Sequence, residues 1–266
     1  MTLHLTHIDQ PGRIALTELC ITQGECLVIC GPNGSGKSSL LRLLAGVDRP
    51  TAGQVKWQDK DLRSWSVSER ARWIAWLPQR STLSPAWTVE ALVMSARYRF
   101  FEPEKVSREQ AVTLLKQFGL KHLVGRLVQG LSGGELQRVL IVSLVAQQSE
   151  FLLLDEPANH LDPQHQIKTY QALSKLWQGG QSVILVSHDV RLAKLLGDPA
   201  RVRLLGIKQG RCVFDLKLDD AQLEQHLEQL YEVPLVARHL PGGLSLDLSA
   251  ELQMPKNAPH HGKETP

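Results

Sequence analysis

The sequence predicts an α/β protein with a mainly parallel sheet, and three observations carry that expectation. Cys26-Leu27-Val28-Ile29-Cys30 is a compact β-prone run that ends at Gly31, and a leucine-rich helical pattern follows at Leu40, Leu41, Leu43 and Leu44. Two more apolar runs, Phe151–Leu154 and Ser182–Val186, each stand ahead of a helical segment. Strands alternating with helices in this way build a parallel sheet with helices packed on it.

The remaining elements follow in order. Residues 1–31 alternate short apolar runs with turns, and residues 53–62 read as a small hairpin or edge strand. Residues 88–129 are mostly helical in pattern, with Pro85, Pro103 and Gly119 as punctuation. Past Asp198, Arg201–Leu205 and Arg211–Leu216 suggest a hairpin around Lys208-Gln209-Gly210. Leu223, Leu227, Leu230 and Tyr231 then lie at helical spacing, with Asp219-Asp220 as the expected N-cap. Leu244, Leu246 and Leu248 alternate after Pro241-Gly242-Gly243, which suggests a short strand. From Met254 the proline-containing tail is expected to be disordered, with His260-His261 solvated rather than metal-binding.

Composition bounds the function classes. The 266 residues suffice for one or two domains with a substantial core, and 42% hydrophobic with 21% charged residues exclude wholesale disorder. Thirty Lys+Arg against 27 Asp+Glu leave a net +3, too balanced to point to a nucleic-acid partner. No stretch reaches the ~18 consecutive apolar residues of a membrane helix. Met1-Thr2-Leu3-His4 lacks the start of a signal peptide, so a cytosolic location is expected. Cys20, Cys26, Cys30 and Cys212 form no CxxC pair and are expected to be buried thiols.

Two motifs carry chemistry. Gly31-Pro32-Asn33-Gly34-Ser35-Gly36-Lys37-Ser38 matches the phosphate-binding pattern G-x-x-x-x-G-K-[ST], between a strand and a helix. Backbone N–H groups can curl around phosphate oxygens only where side chains leave room, and the following helix aims its positive end at the anion. Lys37 would reach the outer phosphates and the Ser38 hydroxyl would ligate Mg²⁺. The second motif is Phe151-Leu152-Leu153-Leu154-Asp155-Glu156, where a buried strand delivers Asp155 to the sheet edge to hold the cation. Glu156, next in sequence and so expected on the other side of the strand, would orient or deprotonate the attacking water.

Between these motifs, Leu131-Ser132-Gly133-Gly134-Glu135-Leu136-Gln137-Arg138 resembles the LSGGQ signature of ATP-binding-cassette (ABC) ATPases. Leu77-Pro78-Gln79, Asn159-His160-Leu161-Asp162 and Val186-Ser187-His188-Asp189 are similar to the family's glutamine loop, D-loop and switch histidine, in family order. The resemblance implies a P-loop ABC cassette: a mainly parallel core sheet, a small antiparallel β subdomain and an inserted helical subdomain. It implies ATP and Mg²⁺ as cofactors and assigns roles. Glu156, His188 and Gln79 would be catalytic. Gly31, Pro32, Asn33, Gly34, Ser35, Gly36, Lys37, Ser38 and Ser39 would bind nucleotide, as would Ser132, Gly133, Gly134 and Asp162. Ser38, Gln79 and Asp155 would surround the metal.

Family cassettes pair head to tail, each nucleotide lying between one P-loop and the partner's signature. With one copy of each motif, this chain is expected to need a second copy of itself. Where the family usually carries an aromatic that stacks on adenine, Gln10 falls instead, with His4 and His7 offset, so loose nucleotide selectivity is expected.

The stretch Thr88-Val89-Glu90-Ala91-Leu92-Val93-Met94-Ser95-Ala96-Arg97-Tyr98 resembles importers for iron–siderophores, haem and cobalamin. Asn159–Gln166 also fits that group. The resemblance implies transmembrane permease subunits and a periplasmic or extracellular substrate-binding protein as partners, at the cytoplasmic face of the cell membrane. Asp155–Asp162 is also close to the DEPTNHLD motif of soluble translation-associated ABC proteins, which carry two cassettes where this chain has one. An ATPase for another small-molecule or metal importer stays open. The expected organisation is a cassette over 1–215, with its helical subdomain at about 86–144. A C-terminal appendage over 216–253 and a tail over 254–266 follow. Trp76, Leu77, Pro78, Leu83, Pro85 and Trp87 are expected to form a groove around Gln79 for a short permease helix.

Overall fold

A computed structural model of the chain describes residues 1–79, 83, 84, 86–233, 235–240 and 243–248, the last two stretches as backbone. Pro85 and the tail from Met254 lie outside the described residues.

Two sheets face each other across one helix. The first is antiparallel, with strand order β2-β1-β4-β5, made from β1 (Thr2–Gln10), β2 (Ile14–Thr22), β4 (Ala52–Trp57) and the two-residue β5 (Lys60–Asp61). The second has order β10-β9-β3-β8-β7-β6. In it β3 (Cys26–Cys30), β6 (Ile74–Leu77), β7 (Phe151–Asp155), β8 (Ser182–Val186) and β9 (Val202–Lys208) are parallel. β10 (Arg211–Lys217) closes the edge as the antiparallel arm of the expected hairpin. Helix α1 (Lys37–Leu44) lies between the sheets and buries Leu40, Leu41, Leu43 and Leu44 completely.

β3, β7 and β8 are buried at every position because both of their faces are covered. Alternate side chains enter different cores: Leu27 and Ile29 face α1 and the antiparallel sheet, whereas Cys26, Val28 and Cys30 face the helices behind. That second core receives α6 (Pro163–Gln178) and α7 (Leu223–Tyr231) through Tyr170, Leu173, Trp177, Leu223, Leu227 and Leu230. A third core joins α3 (Val89–Ser95), α4 (Glu104–Gln117) and α5 (Gly133–Ala146). α5 serves two cores at once, with Ile141 and Leu144 on the sheet and Val139, Val142 and Ala146 on α3 and α4. The short α2 (Val67–Arg70) is held by a capping box between Ser66 and Glu69. After α7 the hairpin β11 (Leu235–Leu240) and β12 (Gly243–Leu248) forms a separate two-stranded sheet.

Four expectations are corrected. Only Cys26 and Cys30 are buried; Cys20 and Cys212 are exposed, because they sit on strands of which one side meets solvent. The N-cap of α7 is Gln222, not Asp219-Asp220; Asp220 instead accepts from the Gln222 N–H one turn earlier, at 2.8 Å. Glu156 is not aimed by strand alternation. β7 ends at Asp155, and Glu156 adopts a left-handed φ of +52° that turns the chain. The expected groove around Gln79 does not form from Trp76 and Leu77, because β6 alternates between two cores. Leu77 is buried on the helical side, and Trp76 packs with α1 with the Arg42 guanidinium 5.9 Å from its ring.

Candidate functional site

The loop from β3 to α1 sets the geometry of the site. Gly36, the residue before α1, has φ +104°, and a Cβ there would lie 2.2 Å from the Arg13 carbonyl oxygen, so only glycine fits. α1 then begins at Lys37, whose side chain is buried and donates to the carbonyl oxygens of Gly31 at 2.8 Å and Pro32 at 2.7 Å. Burial lowers the Lys37 pKa from the ordinary lysine value, and the nearby Glu156 carboxylate opposes that shift. The buried Ser35 hydroxyl has no hydrogen-bond partner among the described residues. A loop that carries a buried ammonium and an orphaned hydroxyl suits an incoming anion.

The acidic end of β7 approaches from the neighbouring strands. Ser38 Oγ donates to Asp155 Oδ1 at 3.1 Å, and burial raises the Asp155 pKa above the usual carboxylate value. Glu156 is the hub of the site. Gln79 Nε2 donates to its Oε2 at 2.7 Å and Asn159 Nδ2 to the same oxygen at 2.6 Å, while His188 Nε2 is hydrogen-bonded to Oε1. Three polar side chains, from the loops after β6, β7 and β8, thus converge on one carboxylate.

These groups line a cavity of about 740 Å³. Its walls are Asn33 to Ser39 on one side and Gln79, Glu156, Asn159 and His188 on the other, with Gly12 and Arg13 at one end. Gly31 and Pro32 stand behind this wall, holding Lys37, and Asp155 lies beneath it through Ser38. No Phe, Tyr or Trp side chain lines the cavity among the described residues. Gln10 is not on the wall; Arg13 is, with its guanidinium 3.9 Å from Asp48.

Ser132, Gly133, Gly134 and Asp162 form a second group outside this cavity. Ser132 caps α5, accepting from the Glu135 N–H at 3.3 Å, and Glu135 returns a bond to the Ser132 N–H at 2.9 Å. Both Gly133 and an anion-friendly helix start are therefore exposed on a surface. Asp162 caps α6 and holds His165, accepting from its N–H at 3.0 Å and lying 2.6 Å from its Nδ1. The His165 ring covers Gly134, where a Cβ would come within 2.2 Å of it. The D-loop and the signature are thus braced together, one histidine apart.

Three wall residues, Gly12, Arg13 and Asn159, are missing from the set named on sequence grounds. Asn159 was visible as the residue one turn past Glu156, and its N–H donates to the Glu156 carbonyl at 3.1 Å. Arg13 carries no comparable signal, because a β-turn brings it to the phosphate loop from a different sheet.

Comparison with known proteins accords with this geometry. The model of the ABC transporter family matches residues 16–159. The hemin import ATP-binding protein HmuV of Pseudomonas putida is 35% identical over 228 residues, covering 84% of this chain and 88% of that protein. HmuV of Gloeobacter violaceus is 37% identical over 254 residues, covering 90% of each. Among solved structures, an inward-facing putative metal-chelate type ABC transporter superposes with a TM-score of 0.80 at 22% identity, covering 95% of this chain and 99% of that one. The ABC cassette MJ0796 in a dimeric post-hydrolysis state bound to ADP and Pi superposes at 0.69 with 27% identity, covering 82% and 99%. With the family model spanning more than half of it and relatives this similar along most of its length, the chain belongs to the ABC transporter ATPase family.

Proposed function

We propose that this protein is the ATP-hydrolysing subunit of a membrane importer for a metal chelate, with haem or another iron chelate as the cargo class. The convergence of the phosphate loop, Asp155, Glu156, Gln79 and His188 on one cavity carries the ATPase part of the reading. The names of the HmuV relatives and the Thr88–Tyr98 stretch support the cargo class.

Lys37 and the loop N–H groups bind the phosphates, with the Ser35 hydroxyl available to them. Ser38 and Asp155, with Gln79 beside them, would hold Mg²⁺. A hydroxyl and a carboxylate are hard oxygen donors, and such a site normally completes itself with waters and phosphate oxygens rather than a protein cage. Among the described residues no cluster of three His, Cys, Asp or Glu side chains is placed to cage a metal, in keeping with that mode. When bound, the cation neutralises phosphate charge. Glu156 takes the proton of the attacking water, and His188 contacts the terminal phosphate. Both Glu156 oxygens are hydrogen-bonded, by Gln79, Asn159 and His188. With His188 and Gln79 turned to the phosphates, Glu156 would keep only Asn159 as a partner and be free to act as base.

The second group of residues serves the partner copy. Ser132 and the N–H groups of Gly133 and Gly134 complete the other protomer's phosphate site in a head-to-tail dimer, with Asp162 at the same junction. A chain bearing Ser132→Arg mixed with one bearing Lys37→Ala retains one intact composite site in the heterodimer. ATPase activity is expected to return in the mixture relative to either variant alone, and a mixture no more active than its parts would refute the shared site.

No helix among the described residues is long and apolar enough to cross a membrane. The subunit attaches to the cytoplasmic face through permease subunits, with a substrate-binding protein on the far side. Trp87 and Leu127 are exposed where the Thr88–Leu127 bridge joins two segments, Trp87 eight residues beyond Gln79, and offer the permease an apolar foothold. Gln79→Ala should leave Mg·ATP binding within about two-fold of wild type yet uncouple hydrolysis from transport in vesicles reconstituted with the permease, because coupling requires a contact that differs between states. Equal loss of ATP binding and transport would reduce Gln79 to a pocket residue.

A further inference from the structure

We propose that Tyr231, at the end of the first helix of the C-terminal appendage, is a positioning residue of the phosphate loop. Its phenolic oxygen accepts a hydrogen bond from the Gly31 N–H at 3.2 Å, 200 residues away in sequence. The inference rests on the ATP-site reading above and gives the appendage a task within it.

The hydroxyl is delivered by a rigid element. α7 buries Leu223, Leu227 and Leu230 to 2% exposure or less, against a core that includes Phe214 and Leu218. Spacings of four and three residues put these leucines on one helix face, so the helix cannot roll without exposing them. Its C-terminal end is fastened separately. Lys208 Nζ donates to the Gln229 carbonyl at 2.8 Å and pairs with Glu232 at 2.7 Å, and Glu232, at φ +58°, ends the helix. Tyr231 stands between these two fastenings. Burial raises the phenol's pKa well above its ordinary value, so the group is a neutral hydroxyl at any working pH.

Gly31 is the residue at which such a contact matters. Its carbonyl oxygen is one of the two that hold the Lys37 ammonium, and its N–H is the one Tyr231 engages. The two groups belong to successive peptide units separated by the Gly31 φ and ψ torsions, of which φ stands at +146°. A side chain would restrain that torsion, but none fits: a Cβ on Gly31 would lie 2.0 Å from the Ile207 carbonyl oxygen. Restraint must therefore come from outside the residue, and the Tyr231 hydroxyl supplies it on the N–H side. Without that hydroxyl the loop entrance gains freedom, and the Lys37 carbonyl cradle becomes one of several arrangements rather than the resident one. A loop ordered before the nucleotide arrives binds it more tightly than one ordered on arrival.

The test uses the full chain with Tyr231→Phe, which keeps the ring and removes one oxygen. Mg·ATP affinity is measured by calorimetry, the melting temperature without nucleotide is recorded, and kcat and KM are determined. Affinity should weaken about three- to ten-fold, the scale of one modest hydrogen bond. KM should rise by more than kcat falls, and the melting temperature should move by no more than about 3 °C. A variant with wild-type affinity and KM overturns the proposal, as does one that loses affinity only in step with its melting temperature. Exchange of the Gly31 amide in the wild-type, nucleotide-free protein gives a measure independent of the variant's folding. Protection supports the contact, and exchange as fast as an exposed loop amide overturns it. Lys37→Ala serves as the control for the underlying reading. If wild-type protein bound Mg·ATP no better than Lys37→Ala, the ATP site itself would fail. If wild type binds and Tyr231→Phe binds equally well, only the role of Tyr231 falls.

Discussion

Glu156→Gln should lower ATP turnover by roughly two to four orders of magnitude, the scale of general-base catalysis, while nucleotide still binds. The amide matches the carboxylate in volume and keeps one acceptor oxygen, so packing beside Gln79, Asn159 and His188 is largely preserved. What disappears is the basicity needed to take a proton from water. With hydrolysis stalled, the protein should accumulate as an ATP-bound dimer, visible as a doubled mass in light scattering with ATP and absent without it. Turnover at the wild-type rate would remove Glu156 from the mechanism. A stalled but monomeric variant would spare Glu156 and count against the head-to-tail dimer.

Lys37→Ala should weaken Mg·ATP binding by about 100-fold or more, since charge-assisted hydrogen bonds to phosphate contribute roughly 1.5–3 kcal/mol each. The nucleotide-free protein should be affected far less. The ammonium is buried at a desolvation cost that its two carbonyl acceptors offset, and removing it deletes cost and benefit together. Calorimetric titration paired with a melting curve separates the two. Unchanged ATP affinity would show that Lys37 does not reach the phosphates. A large drop in melting temperature would show that its bonds to Gly31 and Pro32 brace the loop structurally.

The elements most legible in the sequence were those whose signal is local. The apolar runs at β3, β7 and β8 are buried on both faces and so contain almost nothing but aliphatic residues. The β9–β10 hairpin announced itself through Gln209 and Gly210, both at positive φ. The burial of Trp76 was less legible. Its neighbours Leu77 and Pro78 read as loop-like, but strand pairing of β6 with β7 sends Trp76 to one core and Leu77 to the other. The α7 cap was misread for a related reason. Asp220 does bond to a backbone N–H, but in the turn before the helix, a distinction of two residues that composition does not encode.

The sequence by itself determined the family and the chemical inventory of the site. The phosphate loop works through backbone geometry that only Gly31, Gly34 and Gly36 permit, and the motif is therefore written in contiguous residues. The tertiary structure decided which groups act on one another. Gln79, Asn159 and His188 meet at Glu156 because parallel strands end at one edge of the sheet, bringing together loops up to 109 residues apart in the chain. Glu156 reaches them through a left-handed turn rather than through strand alternation. Ser132 and Asp162 were separated from the cavity, and Arg13 and Tyr231 brought to the phosphate loop, by packing of elements that share no local pattern. Contacts of that kind depend on how cores stack, and no window of sequence short enough to carry a motif contains both partners.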